Sequence, residues 1–112
     1  MPEADHDLTR CDAAVTLAFS VLGKRWNGMI VSSLGGGPST FVALRRAVTG
    51  ISDTVLSDRL AELSDAGLVA RSVDAGPPVT VSYELTHGGR GLLPILDQLG
   101  EWASATLEVR PR

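Results

Sequence analysis

The sequence predicts a single, mostly α-helical domain that carries one small β-hairpin. Three observations lead to this fold class. Apolar residues recur at helical spacing up to Leu63, they alternate with polar residues over 68–86, and helical spacing returns over 92–107. The chain of 112 residues has the length of one domain, and its 44% of hydrophobic residues suffices for a packed core. We therefore expect residues 1–112 to form one folded unit.

The composition argues against several classes of protein. The single cysteine, Cys11, excludes an internal disulfide, and together with His6 and His87 it shows no zinc-ligand spacing. No apolar stretch is long enough to span a bilayer, and the polar start of the chain is unlike a signal peptide. Neither a phosphate-cradling glycine motif nor a nucleophile beside a base is present. We expect a cytoplasmic protein that is not an enzyme, binds no metal or cofactor, and does not contact a membrane.

Two apolar helices are predicted in the first third of the chain. Residues 1–10 are polar and are expected to form a frayed tail, after which Asp12 can cap the first helix. This helix is apolar around most of its circumference, so more than one surface must cover it. Gly23 ends it, and the Lys-Arg pair at 24–25 opens a second helix. The GGGP turn at 35–38 ends that second helix.

The rest of the chain is organised around a helix predicted between Ile51 and Gly67. Ser52 can cap its start, and Gly67 can end it. Its apolar residues share one face: Leu56, Leu60 and Leu63. A short helix over 41–48, capped by Ser39 or Thr40, precedes it, and the two form a helix-turn-helix pattern.

Two alternating segments follow this pattern directly. Residues 68–73 and 79–85 read as strands, and the glycine- and proline-containing segment 74–78 reads as the loop between them. A helix-turn-helix followed by such a hairpin is the winged helix-turn-helix arrangement. A last helix, capped by Thr86, completes the predicted fold.

The first and last helices carry more apolar surface than one small domain can cover. We therefore expect them to form a dimer interface, because interfaces of obligate dimers are strongly apolar. The residues assigned to it are Val15, Phe19, Leu92, Ile95, Leu96, Leu99, Trp102 and Leu107. Packing of the last helix against the first within one chain is the alternative.

A helix with an apolar back and short hydroxyl side chains near its start suits insertion into a DNA major groove. The candidate DNA-contacting residues are Thr40, Arg45, Arg46, Ser52, Asp53, Thr54, Ser57, Arg59 and Arg71. Lys24 and Arg25 are further candidates for phosphate contacts. The alternative for the arginines is ordinary surface charge, and the net charge of −3 weighs against non-specific DNA binding. Arg59 could instead fold back onto Asp58 or Glu62.

Four segments resemble the HxlR-type winged-helix transcriptional regulators, which are relatives of the MarR group. They are LGKRW at 22–26, FVALRRAVTGIS at 41–52, VLSDRLAELSDAGLVAR at 55–71 and PPVTVSYELTHGGRGLLPIL at 77–96. The resemblance covers nearly the whole chain, in order and with short gaps. It implies a homodimer that binds double-stranded operator DNA and usually regulates a neighbouring gene.

The resemblance also implies a role for Cys11, because some members use an N-terminal cysteine to sense oxidants or electrophiles. A thiol near the start of a helix can have a lowered pKa, although a neighbouring carboxylate such as that of Asp12 opposes this. The alternative is a small apolar residue that packs where it lies.

Two features depart from the family pattern: the loop 74–79 has no basic residue, and Asp53 and Asp58 lie on the candidate DNA-reading face. We expect a dimeric repressor that binds a pseudo-palindromic operator and responds to a redox signal or to a small-molecule effector at the dimer interface. The alternative is a dimeric interaction or ligand-binding module with weak DNA binding or none.

Overall fold

Six helices and three short strands make up the part of the chain that the structure, a computed structural model, describes: residues 2–108, with side chains from Asp12 to Glu108. The helices are α1 (Pro2–Leu22), α2 (Asn27–Leu34), α3 (Phe41–Ala47), α4 (Asp53–Asp65), α5 (His87–Arg90) and α6 (Leu92–Thr106). The strands are β1 (Ser39–Thr40), β2 (Val69–Asp74) and β3 (Thr80–Leu85). The predicted fold class, mostly helical with a small antiparallel hairpin, is confirmed.

The core lies between α2, α3, α4 and the base of the sheet. The three leucines predicted to share one face of α4 are each at most 2% exposed. They pack with Ile30 and Leu34 of α2, with Leu44 of α3, and with the first residue of β2 and the last of β3. Burial of each leucine contributes about 2 kcal/mol. The orientation of α4 is therefore fixed by its apolar side.

The sheet has three antiparallel strands in the order β1-β3-β2. The predicted hairpin is present, with Arg71 of β2 opposite Tyr83 of β3. Its third strand, β1, was not predicted, because two residues are too few to show alternation. Ser39 of β1 pairs with Tyr83 on the other edge of β3. Since α3 begins directly after β1, this pairing joins the helix-turn-helix to the hairpin.

Three of the predicted helix caps are confirmed. The Ser52 hydroxyl oxygen accepts a hydrogen bond from the Val55 amide at 3.1 Å, and that of Thr40 accepts from the Ala43 amide at 3.2 Å. Thr86 caps α5 in the same way. After α4, Gly67 adopts a φ of +79°, a left-handed conformation that a side chain would strain.

The predicted starts of the first two helices were wrong. α1 begins at Pro2 rather than after Asp12, so the segment expected to be a tail lies within the helix from Pro2 onwards. Proline is well tolerated in a first turn, and no glycine or further proline interrupts the segment. α2 begins at Asn27, and the Lys-Arg pair lies in the turn before it. Asn27 is buried and donates from Nδ2 to the Val21 carbonyl oxygen at 2.8 Å, which holds the corner between α1 and α2.

The predicted last helix is divided in two at Gly91. Glycine is a poor helix former, and three of the four residues at 88–91 are glycines. Gly89 cannot be replaced by a larger residue, because a Cβ there would clash with the carbonyl oxygen of Leu68. Pro94 lies in the first turn of α6, where its missing N–H breaks no hydrogen bond.

The apolar faces of α1 and α6 are largely uncovered. No residue of α6 is buried, and every side chain from Asp12 to Ser20 is exposed. Six of the eight predicted interface residues are between 42% and 56% exposed: Val15, Phe19, Ile95, Leu99, Trp102 and Leu107. The other two, Leu92 and Leu96, are partly buried against the core. Within residues 2–108, no helix is both long enough and apolar enough to cross a membrane.

Candidate nucleic-acid interface

The face of α4 opposite its buried leucines is polar and exposed. Thr54, Ser57 and Asp58 all lie on it, together with the small side chain of Ala61. The hydroxyl groups on this face can approach base edges or phosphates, and these residues have no bulky side chain that would prevent α4 from entering a DNA groove. Thr54 and Ser57 are therefore exposed on the predicted face of α4, and their contact with DNA stays a prediction.

The two capping hydroxyls lie at the starts of α3 and α4. Thr40 and Ser52 each use their oxygen to accept a backbone N–H, and both residues are exposed. A hydroxyl that accepts in a cap still has its own hydrogen to donate. Both positions can therefore donate to a phosphate without losing the cap.

Arg45 and Asp53, both predicted DNA contacts, form an ion pair. The Arg45 Nη1 lies 3.0 Å from the Asp53 Oδ1, and the two side chains are 45% and 63% exposed. An ion pair this exposed adds little stability. Its effect is electrostatic and positional: it connects α3 to the first turn of α4, and it neutralises one of the two arginines of α3.

Glu62 binds two of the other predicted basic residues. Arg59 Nη1 lies 3.1 Å from Glu62 Oε1, and Lys24 Nζ lies 2.9 Å from Glu62 Oε2. The Arg59 side chain is only 20% exposed, and its Nε is buried without a hydrogen-bond partner. Arg59 thus folds back along α4, the alternative that the sequence left open, and Lys24 connects the α1–α2 turn to α4.

The remaining basic residues near these helices differ in their surroundings. The Arg25 guanidinium lies 4.5 Å from the centre of the Trp26 ring, a cation–π contact. Arg46 and Arg71 are exposed, and neither forms an ion pair within the described part of the chain. Arg46 and Arg71 are therefore the arginines of the predicted set that are most available to phosphates.

A cleft of about 290 Å³ separates α4 from the hairpin. Ser57 and Ser64 line it from α4, and Arg71 and Tyr83 line it from the sheet. Sequence reasoning missed Tyr83, because the alternation of β3 marks it only as an inward-facing aromatic residue. Tyr83 is brought beside Arg71 by the β2–β3 register, which only the structure shows.

The tip of the hairpin carries no basic side chain, as its sequence indicated. Asp74 instead stabilises the turn, its Oδ1 accepting a hydrogen bond from the Gly76 amide at 3.1 Å. Non-specific attraction to a minor groove is therefore weak at this point of the molecule.

The backbone of Cys11 lies within α1, whereas its side chain is outside the described residues. The expectation that a helix start lowers the pKa of this thiol was wrong in its premise. The influence of a helix dipole falls off within the first turn, and α1 begins at Pro2.

A helix-turn-helix whose second helix exposes a polar face, followed by an antiparallel hairpin, defines the winged-helix class of DNA-binding proteins. Residues 21–111 match the HxlR-like helix-turn-helix family, and the chain belongs to that family.

Characterised relatives and solved structures agree with this assignment. The chain is 40% identical over 91 residues to the HTH-type transcriptional regulator YodB of Bacillus subtilis (strain 168), an alignment that covers 81% of each protein. The reduced form of YodB superposes with a TM-score of 0.77 at 39% identity, covering 83% of this chain and 91% of that one. The redox regulator HypR in its oxidized form gives a TM-score of 0.78 at 33% identity, covering 86% and 99%. The protein is thus a DNA-binding transcriptional regulator.

The Arg45–Asp53 pair leads to a first prediction. Asp53→Asn and Asp58→Asn each remove one negative charge from the exposed face of α4, but only Asp53→Asn releases an arginine. We expect Asp53→Asn to bind a random-sequence duplex more tightly at low salt and to steepen the salt dependence of log K by about one. Asp58→Asn should give a smaller gain in affinity. Fluorescence anisotropy at several salt concentrations measures both, and identical behaviour of the two variants would contradict the role given to the ion pair.

Proposed function

We propose that two copies of this chain form a cytoplasmic homodimer that binds a pseudo-palindromic operator and represses transcription by covering a promoter. The observation that carries this proposal is α4, whose polar face is exposed and whose orientation is fixed by three buried leucines. A dimer would place two such helices one turn of DNA apart, about 34 Å.

The uncovered apolar faces of α1 and α6 support the dimer. A helix with no buried residue, whose apolar residues include Ile95, Leu99 and Trp102, has a high free energy in water. Covering it with the same surface of a second copy gives a closed, two-fold symmetric interface. The operator should then share that two-fold symmetry.

The exposed residues divide into phosphate and base contacts. Arg46 and Arg71 would bind phosphates, and the capping hydroxyls of Thr40 and Ser52 would donate to phosphates at the two helix starts. Thr54 would reach base edges, and Ser57, which lines the cleft between α4 and the hairpin, would donate to a base edge or to a phosphate. Three of the candidate DNA-contacting residues remain. Arg45 and Asp53 would set the relative position of α3 and α4, and Arg59 would reach DNA only if its ion pair with Glu62 were broken.

We propose further that Cys11 is the redox sensor. YodB has been solved in reduced, diamide-treated and quinone-bound forms, and HypR in oxidized and reduced forms. Cys11 is the single thiol of this chain. Addition to a quinone would form a bond between its sulfur and a ring carbon. The thiol proton would move to one ring oxygen and the proton of the attacked carbon to the other, which gives the hydroquinone. With diamide, two thiols from two subunits lose their protons and one electron each to form a disulfide, and diamide becomes the hydrazine.

We propose that an uncharged small-molecule effector would bind between α1 and α6. A cavity of about 290 Å³ lies between α1 and α6, lined by Val21, Leu92 and Ile95 and by other apolar residues or glycines. Its apolar lining would favour an aromatic or aliphatic molecule over a charged one.

Selection of duplexes from a random library by the purified protein tests the DNA-binding proposal. We expect a two-fold symmetric consensus that binds at least about a thousandfold more tightly than random DNA at physiological salt. Arg46→Ala should weaken both kinds of duplex alike and lower the salt slope by about one, while Arg90→Ala, outside the helix-turn-helix, should change neither. If no sequence is enriched and no duplex binds at low salt, the alternative of an interaction module is correct.

A matched pair of charge substitutions tests the dimer. Ile95 on α6 and Val79 beside the hairpin tip are both exposed apolar residues. We expect Ile95→Glu to give monomer or aggregate in sedimentation velocity, because the carboxylate would be buried in the interface. Val79→Glu should remain dimeric. A dimer formed equally by both variants would place the interface elsewhere.

Operator binding with and without reagent tests Cys11. We expect diamide or a quinone to lower the affinity of the wild-type protein for the selected duplex, because modification on α1 would disturb the dimer that sets the spacing of the two α4 helices. Cys11→Ser should bind the same duplex and ignore both reagents. A wild-type affinity that neither reagent changes would make Cys11 a structural residue.

A further inference from the structure

We propose that the cleft between α4 and the hairpin binds one phosphate of the DNA backbone, and that the Tyr83 hydroxyl is one of its donors. This inference rests on the DNA binding proposed above and deepens it. It adds Tyr83 and Ser64 to the DNA-contacting surface. It also assigns Arg71 to one particular phosphate, where the proposal above gave it only a general attraction to the DNA backbone.

The register of the sheet brings the donors to one face. Val69 and Leu85 are paired across β2 and β3, and both are buried in the core beneath α4. Two residues along each strand, the paired Arg71 and Tyr83 point to the same face, because side chains alternate with a period of two. On the inner face of the sheet, the Val69–Leu85 pair therefore belongs to the core, and the next pair, Arg71 and Tyr83, lines the cleft.

The cleft contains an excess of unused hydrogen-bond donors. The hydroxyls of Ser57, Ser64 and Tyr83 and the guanidinium of Arg71 line it, and within the described residues none of these side chains has a hydrogen-bond or ion-pair partner. Three neutral donors around one cation form a suitable site for a singly charged, oxygen-rich anion such as a phosphodiester. A cation or an apolar ligand would leave these donors unsatisfied.

The position of the cleft agrees with the geometry of duplex DNA. A helix in the major groove is separated from the neighbouring minor groove by one sugar–phosphate strand. When α4 lies in the major groove and the hairpin extends toward the minor groove, that strand must pass between them. The cleft with Arg71 and Tyr83 is the space between those two elements.

One residue of the cleft opposes an anion. The Asp65 carboxylate, at the end of α4, also lines it. Its negative charge would repel the phosphate and limit the affinity. Asp65 thereby supplies a test with the opposite sign, because removing its charge should strengthen the same contact that removing a donor weakens.

Two matched pairs of variants test the proposal on the duplex selected by the wild-type protein. Tyr83→Phe removes one hydroxyl from the inner face of β3, and Ser82→Ala removes one from its outer face. Asp65→Asn removes a charge from the cleft, and Glu84→Gln removes one from the outer face of the sheet. Thermal unfolding of each variant measures any change in stability separately.

We expect Tyr83→Phe to weaken duplex binding about tenfold with an unchanged salt slope, as for a neutral donor lost from a charged acceptor. Arg71→Ala should weaken binding and lower the salt slope by about one. Asp65→Asn should strengthen binding severalfold, and the two outer-face variants should bind like the wild type.

Replacing the backbone phosphates one at a time with uncharged methylphosphonate identifies the contact. At one position per half-site, the replacement should lower the affinity of the wild type. At the same position, Tyr83→Phe and Arg71→Ala should bind the modified and the unmodified duplex with equal affinity, because each variant has already lost that contact. If the wild type binds the duplex but Tyr83→Phe binds as tightly as Ser82→Ala, the cleft is not a phosphate site and the DNA-binding proposal stands. If the wild type binds no duplex, the DNA-binding proposal itself is wrong.

Discussion

The burial of Leu56, Leu60 and Leu63 is the constraint on which the rest of the structure depends. These side chains are nearly inaccessible to water. Rotating α4 about its axis would expose them, at a free-energy cost of about 2 kcal/mol for each leucine. The polar face of α4 therefore has one permitted direction. The pairing of β1 with β3 then joins the hairpin to the same framework, so that α4 and the hairpin are held by one packed core and sheet.

Electrostatics explains how an acidic chain can still act on DNA. Three of the basic residues near the helix-turn-helix are paired with carboxylates of the same chain, and among the described residues of this region only a few basic side chains form no ion pair. A protein with few free cations gains little from counterion release on random sequence. The operator preference proposed for it would then come from geometry and hydrogen bonding, for which exposed hydroxyl donors are better suited than a basic patch.

Periodicity in the sequence predicted the elements whose packing is local, and it missed features that depend on distant residues. The spacing of apolar residues and the capping hydroxyls were sufficient to predict α3, α4 and the hairpin. The Lys24–Glu62 pair joins residues 38 positions apart, and the packing of Gly89 against Leu68 depends on how α5 meets the turn after α4. Neither leaves a local pattern. Tyr83 belongs to the same group, because its importance appears only once the register places Arg71 beside it.

The exposed apolar face of α6 also has a consequence for how long the protein survives in a cell. If two copies pair through α6 as proposed, a newly synthesised copy would display Leu99 and Trp102 until it met another copy, and chaperones and proteases remove chains with such exposed surfaces. Assembly is second order in concentration, so survival of the protein would rise steeply with its rate of synthesis. Degradation of unassembled copies would thus remove the protein made in small bursts of expression. The concentration above which the protein accumulates would depend on the exposed apolar surface of α6.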